Sequence, residues 1–148
     1  MTARYPLVLN GTTIQELQSG DTAQLPSGQP LTNPAITNYT ETNYTATVTS
    51  NTISLALSNG TFQTITTMVG ANAIVLPAVS GNAGKSMTVQ IVYASTPTSI
   101  TFSVASSGTL KFPSGTTPTA TLTNGKYDVY SFICDGTYWY GIQAGASF

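Results

Sequence analysis

The sequence predicts an all-β fold: an antiparallel, jelly-roll-like β-sandwich of roughly nine or ten short strands behind an extended N-terminal arm. Three observations predict it. Thr and Ser make up more than a quarter of the 148 residues while Asp, Glu, Lys and Arg together reach only 6%. Thr is β-branched and suits a half-exposed pleated strand better than a helix. From residue 39 onward, apolar and polar residues alternate in short runs. Turn-forming pairs punctuate those runs at the spacing of a sandwich.

The first 35 residues are organised differently. Four of the eight prolines, Pro6, Pro26, Pro30 and Pro34, fall there, and no period is sustained. Each proline fixes its own φ and biases its predecessor away from helix, so Ser19 to Pro34 reads as extended. Tyr5, Pro6, Leu7, Val8 and Leu9 form an apolar run of strand character. Thr13-Ile-Gln-Glu16 matches a capping box, with Ile14 and Leu17 three apart, which allows one helical turn. Residues 1–35 are therefore read as an arm that docks on a partner, and residues 36–148 as the sandwich.

Within residues 36–148, Ile53, Leu55 and Leu57 share a face, and Asn59-Gly60 predicts a hairpin into Phe62–Val69. Ala73–Leu76 is a short apolar piece ended by Pro77. Met87, Val89, Ile91 and Tyr93 give the cleanest strand, followed by Ile100, Phe102 and Val104. Leu110–Phe112 precedes a loop, and Ala120 and Leu122 alternate with threonines. Asn124-Gly125 leads into Lys126–Cys134, and Asp135-Gly136 into Thr137–Ala144.

This last pair of strands is apolar on both faces. Tyr127, Val129 and Ile133 point one way; Tyr130, Phe132 and Cys134 point the other. Trp139 and Gly141 oppose Tyr138, Tyr140 and Ile142. A half-exposed antiparallel strand normally keeps one polar face. Tyr127, Val129, Tyr130, Phe132, Tyr138, Trp139 and Tyr140 are therefore expected in a core or a subunit interface, and self-association is expected.

The inventory for catalysis is poor, and the chain is read as no enzyme. It has no histidine, which removes His-based triads, proton shuttles and His metal sites. The five carboxylates, Glu16, Asp21, Glu41, Asp128 and Asp135, are scattered; Asp128 and Asp135 alone could meet across the last hairpin. No Asp-rich loop offers calcium ligands. Cys134 has no base beside it and reads as a small buried hydrophobe. Gly81-Asn-Ala-Gly84-Lys85-Ser86 lacks the glycine spacing of a phosphate loop. No catalytic residue, metal site or cofactor is expected. A net charge of −1 offers no basic footprint for nucleic acid. No apolar stretch is long enough for a signal peptide or a membrane span. Trp139 between Tyr138 and Tyr140 leaves a sugar-stacking platform as a lesser alternative.

Two stretches carry a resemblance. Arg4-Tyr-Pro-Leu-Val-Leu-Asn-Gly-Thr-Thr-Ile-Gln-Glu-Leu-Gln-Ser-Gly-Asp21 resembles the opening of many tailed-bacteriophage minor structural proteins. From Asn38 to the end the chain is similar to a β-domain near the C-termini of phage tail fibres and other virion surface proteins. The residues that carry this are Phe112-Pro-Ser-Gly-Thr-Thr-Pro118, Tyr127–Cys134, Asp135-Gly136 and Trp139-Tyr-Gly141. The resemblance implies a homotrimeric β-sandwich with an N-terminal attachment segment and no catalytic residues. Such fibres are usually longer. A chain that is nearly all arm and one domain fits a head decoration (cement) protein, on the outer surface of the head. Its partners would be itself and the major capsid protein. A short tail fibre or tail-tip protein and a carbohydrate-binding adhesin module are the alternatives.

Overall fold

The computed structural model describes residues 7–10, 13–16, 40–94 and 96–148. The chain divides into two units, Met1–Tyr39 and Thr40–Phe148.

In the first unit, β1 (Leu7–Asn10) and β2 (Thr13–Glu16) pair antiparallel, with Asn10 opposite Thr13 and Leu7 opposite Glu16. Leu7–Asn10 and Thr13–Glu16 are thus the two arms of a short hairpin. Thr13–Glu16 is a strand, and the helical turn that its capping-box pattern allows does not form there. Tyr5, Pro6, Leu17 and the proline-rich stretch lie outside the described residues.

In the second unit the described residues form nine strands: β3 (Tyr44–Ala46), β4 (Thr52–Ser54), β5 (Phe62–Thr66), β6 (Gly70–Leu76), β7 (Ser86–Val92), β8 (Pro97–Val104), β9 (Thr109–Lys111), β10 (Tyr127–Cys134) and β11 (Tyr138–Gly145). They are not an antiparallel sandwich. Strands alternate between two sheets, one in the order β3-β5-β7-β10-β11-β9 and one in the order β4-β6-β8. The pairs β3·β5, β5·β7, β4·β6 and β6·β8 are all parallel. The chain therefore winds through three coils of a β-solenoid, each coil giving one strand to each sheet. Parallel neighbours need a crossover of a dozen or so residues, and here the crossover is the strand of the opposite sheet.

Stacked coils place like residues over one another. Ile53 lies beside Ile74 and Ile74 beside Phe102 in the small sheet. Ala46 lies beside Ile65 and Ile65 beside Ile91 in the large one. These ladders face inward and form one core with Leu55, Leu76, Met87, Val89, Tyr93, Val104, Tyr130, Phe132 and Trp139. Alternation along each strand sends the remaining residues outward, as in any pleated strand.

The expected hairpin at Asn59-Gly60 is a corner between sheets instead. A single turn of 3-10 helix, Leu57–Asn59, precedes Gly60 at φ 108°. The Gln63 amide donates to the Ala56 and Gly60 carbonyls at 2.7 and 2.9 Å, holding that corner from inside. Asn72 does the same at the next corner, accepting from Met68 N and donating to the Met68 and Gly70 carbonyls. Buried amides in corners satisfy backbone groups that no strand reaches.

After β8 the winding ends. β9 runs parallel to β11 at the far edge of the large sheet, and β10 inserts antiparallel between β7 and β11. The small sheet stops at β8. The inner face of β10 and β11 is therefore covered by Phe102, Phe112, Ala120 and Leu122. Ala120 and Leu122 are not in a strand, contrary to their alternation.

Gly141 sits inside this cap. A Cβ there would lie 2.7 Å from ring atoms of both Phe112 and Phe132, closer than carbon atoms pack. The Trp-Tyr-Gly and Phe-Pro sequences thus belong to one packing unit: Gly141 leaves the space that Phe112 fills. Gly141→Ala should lower unfolding free energy by about 1–3 kcal/mol through overpacking. Urea titration checks this; an unchanged midpoint would mean the rings do not close on Gly141.

Candidate interaction surface

The hairpin β10–β11 carries most residues that the sequence picks out, and the structure sorts them onto two faces. Tyr130, Phe132, Cys134 and Trp139 are fully or almost fully buried. Tyr130 and Phe132 stack at 6.3 Å between centroids, and Phe102 packs on both. Trp139 Nε1 donates to the Pro77 carbonyl at 2.8 Å, tying β11 to the corner after β6. No part of the Trp139 ring reaches solvent, so it cannot stack on a sugar, and the platform reading fails. Trp139→Ala should cost about 3–5 kcal/mol of stability, which thermal denaturation measures.

The outward face holds Tyr127, Val129, Ile133, Tyr138, Tyr140 and Ile142. Ile133 is 58% exposed and Ile142 52%. Ile133 pairs laterally with Tyr140, and Ser131 with Ile142, so these side chains make one continuous strip. Lys111 Nζ lies 3.4 Å from the Tyr138 ring centroid, a cation–π contact. The Tyr140 hydroxyl donates to Asp135 Oδ2 at 3.1 Å. Asp135 also accepts from the Thr137 and Tyr138 amides, both at 2.7 Å. These backbone bonds and the Tyr140 hydroxyl hold its carboxyl below the usual range. Asp135 thus closes the turn with its side chain, and Gly136 beside it takes the positive φ of 94° that the turn needs.

Asp128 and Asp135 do not meet across the hairpin. Asp135 closes the hairpin turn, while Asp128 sits near the other end of β10 and faces inward. Asp128 is fully buried with four donors around it. Its Oδ2 accepts from the Tyr93 hydroxyl at 2.7 Å and from Thr121 N at 2.8 Å. Its Oδ1 accepts from the Thr121 hydroxyl and from Ser147 N at 3.0 Å. Burial raises its pKa, but the bonds from Thr121, Tyr93 and Ser147 lower it further, leaving it below the usual range. Thr121 N is occupied by Asp128 and Leu122 takes φ 54°, a conformation outside the β region. This is why the expected strand there is absent. Glu41 accepts from the Thr61 amide and hydroxyl, fastening the entry of the first coil to the second.

Among the described residues no cluster of His, Cys, Asp and Glu could hold a metal ion, and no helix is long and apolar enough to cross a membrane. An open groove of about 550 Å³ is lined by Leu55, Leu57, Pro77, Asn82, Lys85 and neighbours. Lys85 there donates to Asn82 Oδ1 at 3.1 Å. The loops Gly81–Gly84 and Ser114–Pro118 stand largely in solvent. Cys134 is buried; its sulfur accepts from Gly136 N at 3.4 Å. Sequence reasoning missed the Asp128 hub, because its donors come from three separate segments and leave no local pattern. Comparison with known families, curated proteins and solved structures finds no match to the chain.

Stability should follow pH with a broad plateau, because the chain has no histidine, the side chain whose ordinary pKa lies nearest neutrality. Asp128 contributes stability that is present above the ordinary carboxylate value of about 3.9 and is lost as pH falls toward its depressed folded value. Burial, and then the nearby Asp128, push the Tyr93 and Tyr130 pKa values up. Their contribution is complete below about pH 10 and is lost as pH rises beyond it. Asp128→Asn keeps one acceptor oxygen and turns the other into a donor among donors. It should cost about 2–4 kcal/mol at neutral pH and make the acid limb shallower. Melting curves from pH 2 to 11 test this, and an acid limb identical to wild type would refute the Asp128 account.

Proposed function

We propose that this chain is a non-enzymatic structural protein of a tailed-phage virion, a capsid decoration (cement) protein. It assembles with copies of itself and clamps neighbouring capsid subunits through residues 1–35. The observation that carries this reading is the exposed strip Tyr127–Ile133 and Tyr140–Ile142 on strands whose inner face is already core. Exposed apolar strips of this kind mark interaction surfaces. The resemblance of residues 4–21 and of the Phe112–Gly141 region to virion proteins points the same way. The dispersed carboxylates and the lack of histidine offer little to catalysis.

The action is mechanical. The N-terminal segment binds capsid protein by strand addition, and contacts between copies tie adjacent shell subunits together. The β1–β2 hairpin is suited to this, since a two-stranded ribbon alone is marginal in water and gains from a third strand.

A second reading has its own support. Coiled parallel sheets make stiff, stackable rods, which suits a short tail fibre or tail-tip protein that meets the host through Gly81–Gly84 or Ser114–Pro118. Immunogold electron microscopy of parent virions with antibody against the chain separates the two. Label in a regular array over the head is the expected outcome, and label confined to the tail selects the fibre. Removing residues 1–20 should abolish particle binding; a truncated protein that still binds contradicts the role of the arm.

A further inference from the structure

We propose that the outer face of the six-stranded sheet is where one copy of this chain packs against another. The face is built by β5, β7, β10 and β11, flanked by β3 and β9. Among the described residues that point outward from these strands, Lys111 carries the single charge, and it lies over the Tyr138 ring. The rest are Thr, Ser, Gln, Phe62, Val92, Ala144 and the apolar strip of Tyr127, Val129, Ile133, Tyr138, Tyr140 and Ile142. Charge at this face is confined to Lys111 and to the Asp135 carboxylate that accepts from the Tyr140 hydroxyl, so like placed on like meets little of the repulsion that keeps protein surfaces apart.

Size agrees. Six strands about 4.8 Å apart, the longest of eight residues rising about 3.3 Å each, give a face of on the order of 600 Å² in projection. Side-chain relief brings this near the roughly 800 Å² per partner of a standard stable interface. Sheets pack face to face when side chains interdigitate across about 10 Å. The strip is suited to this, since Ile133 and Ile142 project beside the flatter Ser131 and Thr88. A capsid or receptor protein is a weaker occupant. A second copy presents the same apolar strip in equal number and has the same need to cover it.

This inference deepens the self-assembly in the proposed function but concerns the purified chain alone, so it stands or falls independently of any location on a particle. Sedimentation equilibrium of the full chain at micromolar concentration should give an oligomer. The double variant Ile133→Glu/Ile142→Glu should sediment as a 15.4 kDa monomer, with the dissociation constant raised by on the order of 100-fold or more. Both positions are exposed, so its melting temperature at low concentration should match wild type. Val69→Glu, at an exposed apolar residue on a corner (67% exposed), should leave the mass unchanged. A monomeric wild type overturns the proposal. So does an oligomer that survives the double variant, or one that Val69→Glu dissolves.

Discussion

The second unit depends on one constraint: two sheets share a single core, and each coil must supply an inward residue to both. Ile53, Ile74 and Phe102 on one side and Ala46, Ile65 and Ile91 on the other meet this demand. Each coil alone would leave its inner face wet. Stacking covers it, and each added coil buries its neighbour, which is the logic of a repeat architecture. Once the inward positions are filled by the ladders, outward apolar residues have no role inside the molecule. This links the fold to the association proposed for the outer face.

Winding must also end, and the C-terminal residues end it. The small sheet stops three strands before the large one, so β10 and β11 need a different cover. Phe102 and Phe112, packed on Tyr130 and Phe132 of β10, provide it together with Ala120 and Leu122, and Gly141 leaves room. Asp128 then fixes what strands cannot. It gathers Tyr93 at the end of β7, Thr121 in the covering loop and Ser147 near the C-terminus around one carboxylate. A buried carboxylate with four donors and no cation is stable because hydrogen bonds replace its hydration. The result is a hairpin anchored on its inner side that leaves Ile133 and Ile142 exposed on its outer one.

Much of this was legible in the residues. Alternation in Tyr127–Cys134 and Tyr138–Ile142 reports which side chains share a face, and the structure keeps that sorting. Asp135-Gly136 turns where its chemistry says it should. Pairing was less legible, because alternation reveals a pleat but not its neighbour. Ile53 and Ile65 look like the two arms of a hairpin around Asn59-Gly60, yet they belong to opposite sheets. Coil lengths differ, from Tyr44 to Gln63 and then the longer step from Gln63 to Val89, so no fixed period announces the solenoid. Trp139 reads as platform or core from its neighbours alone. Only the Pro77 carbonyl, distant in sequence, decides for core.

Parallel winding is the claim on which the outer face depends, and a disulfide tests it most directly. Thr64 on β5 and Gln90 on β7 are lateral partners in the parallel register, with Thr64 Oγ1 3.3 Å from Gln90 Oε1. Neighbouring strands bring Cα atoms within disulfide reach. Thr64→Cys/Gln90→Cys, oxidised mildly and read by intact mass and non-reducing gel, should close an intrachain bond nearly quantitatively while buried Cys134 stays reduced. Two free thiols, or crosslinks only between chains, would contradict the coiled arrangement.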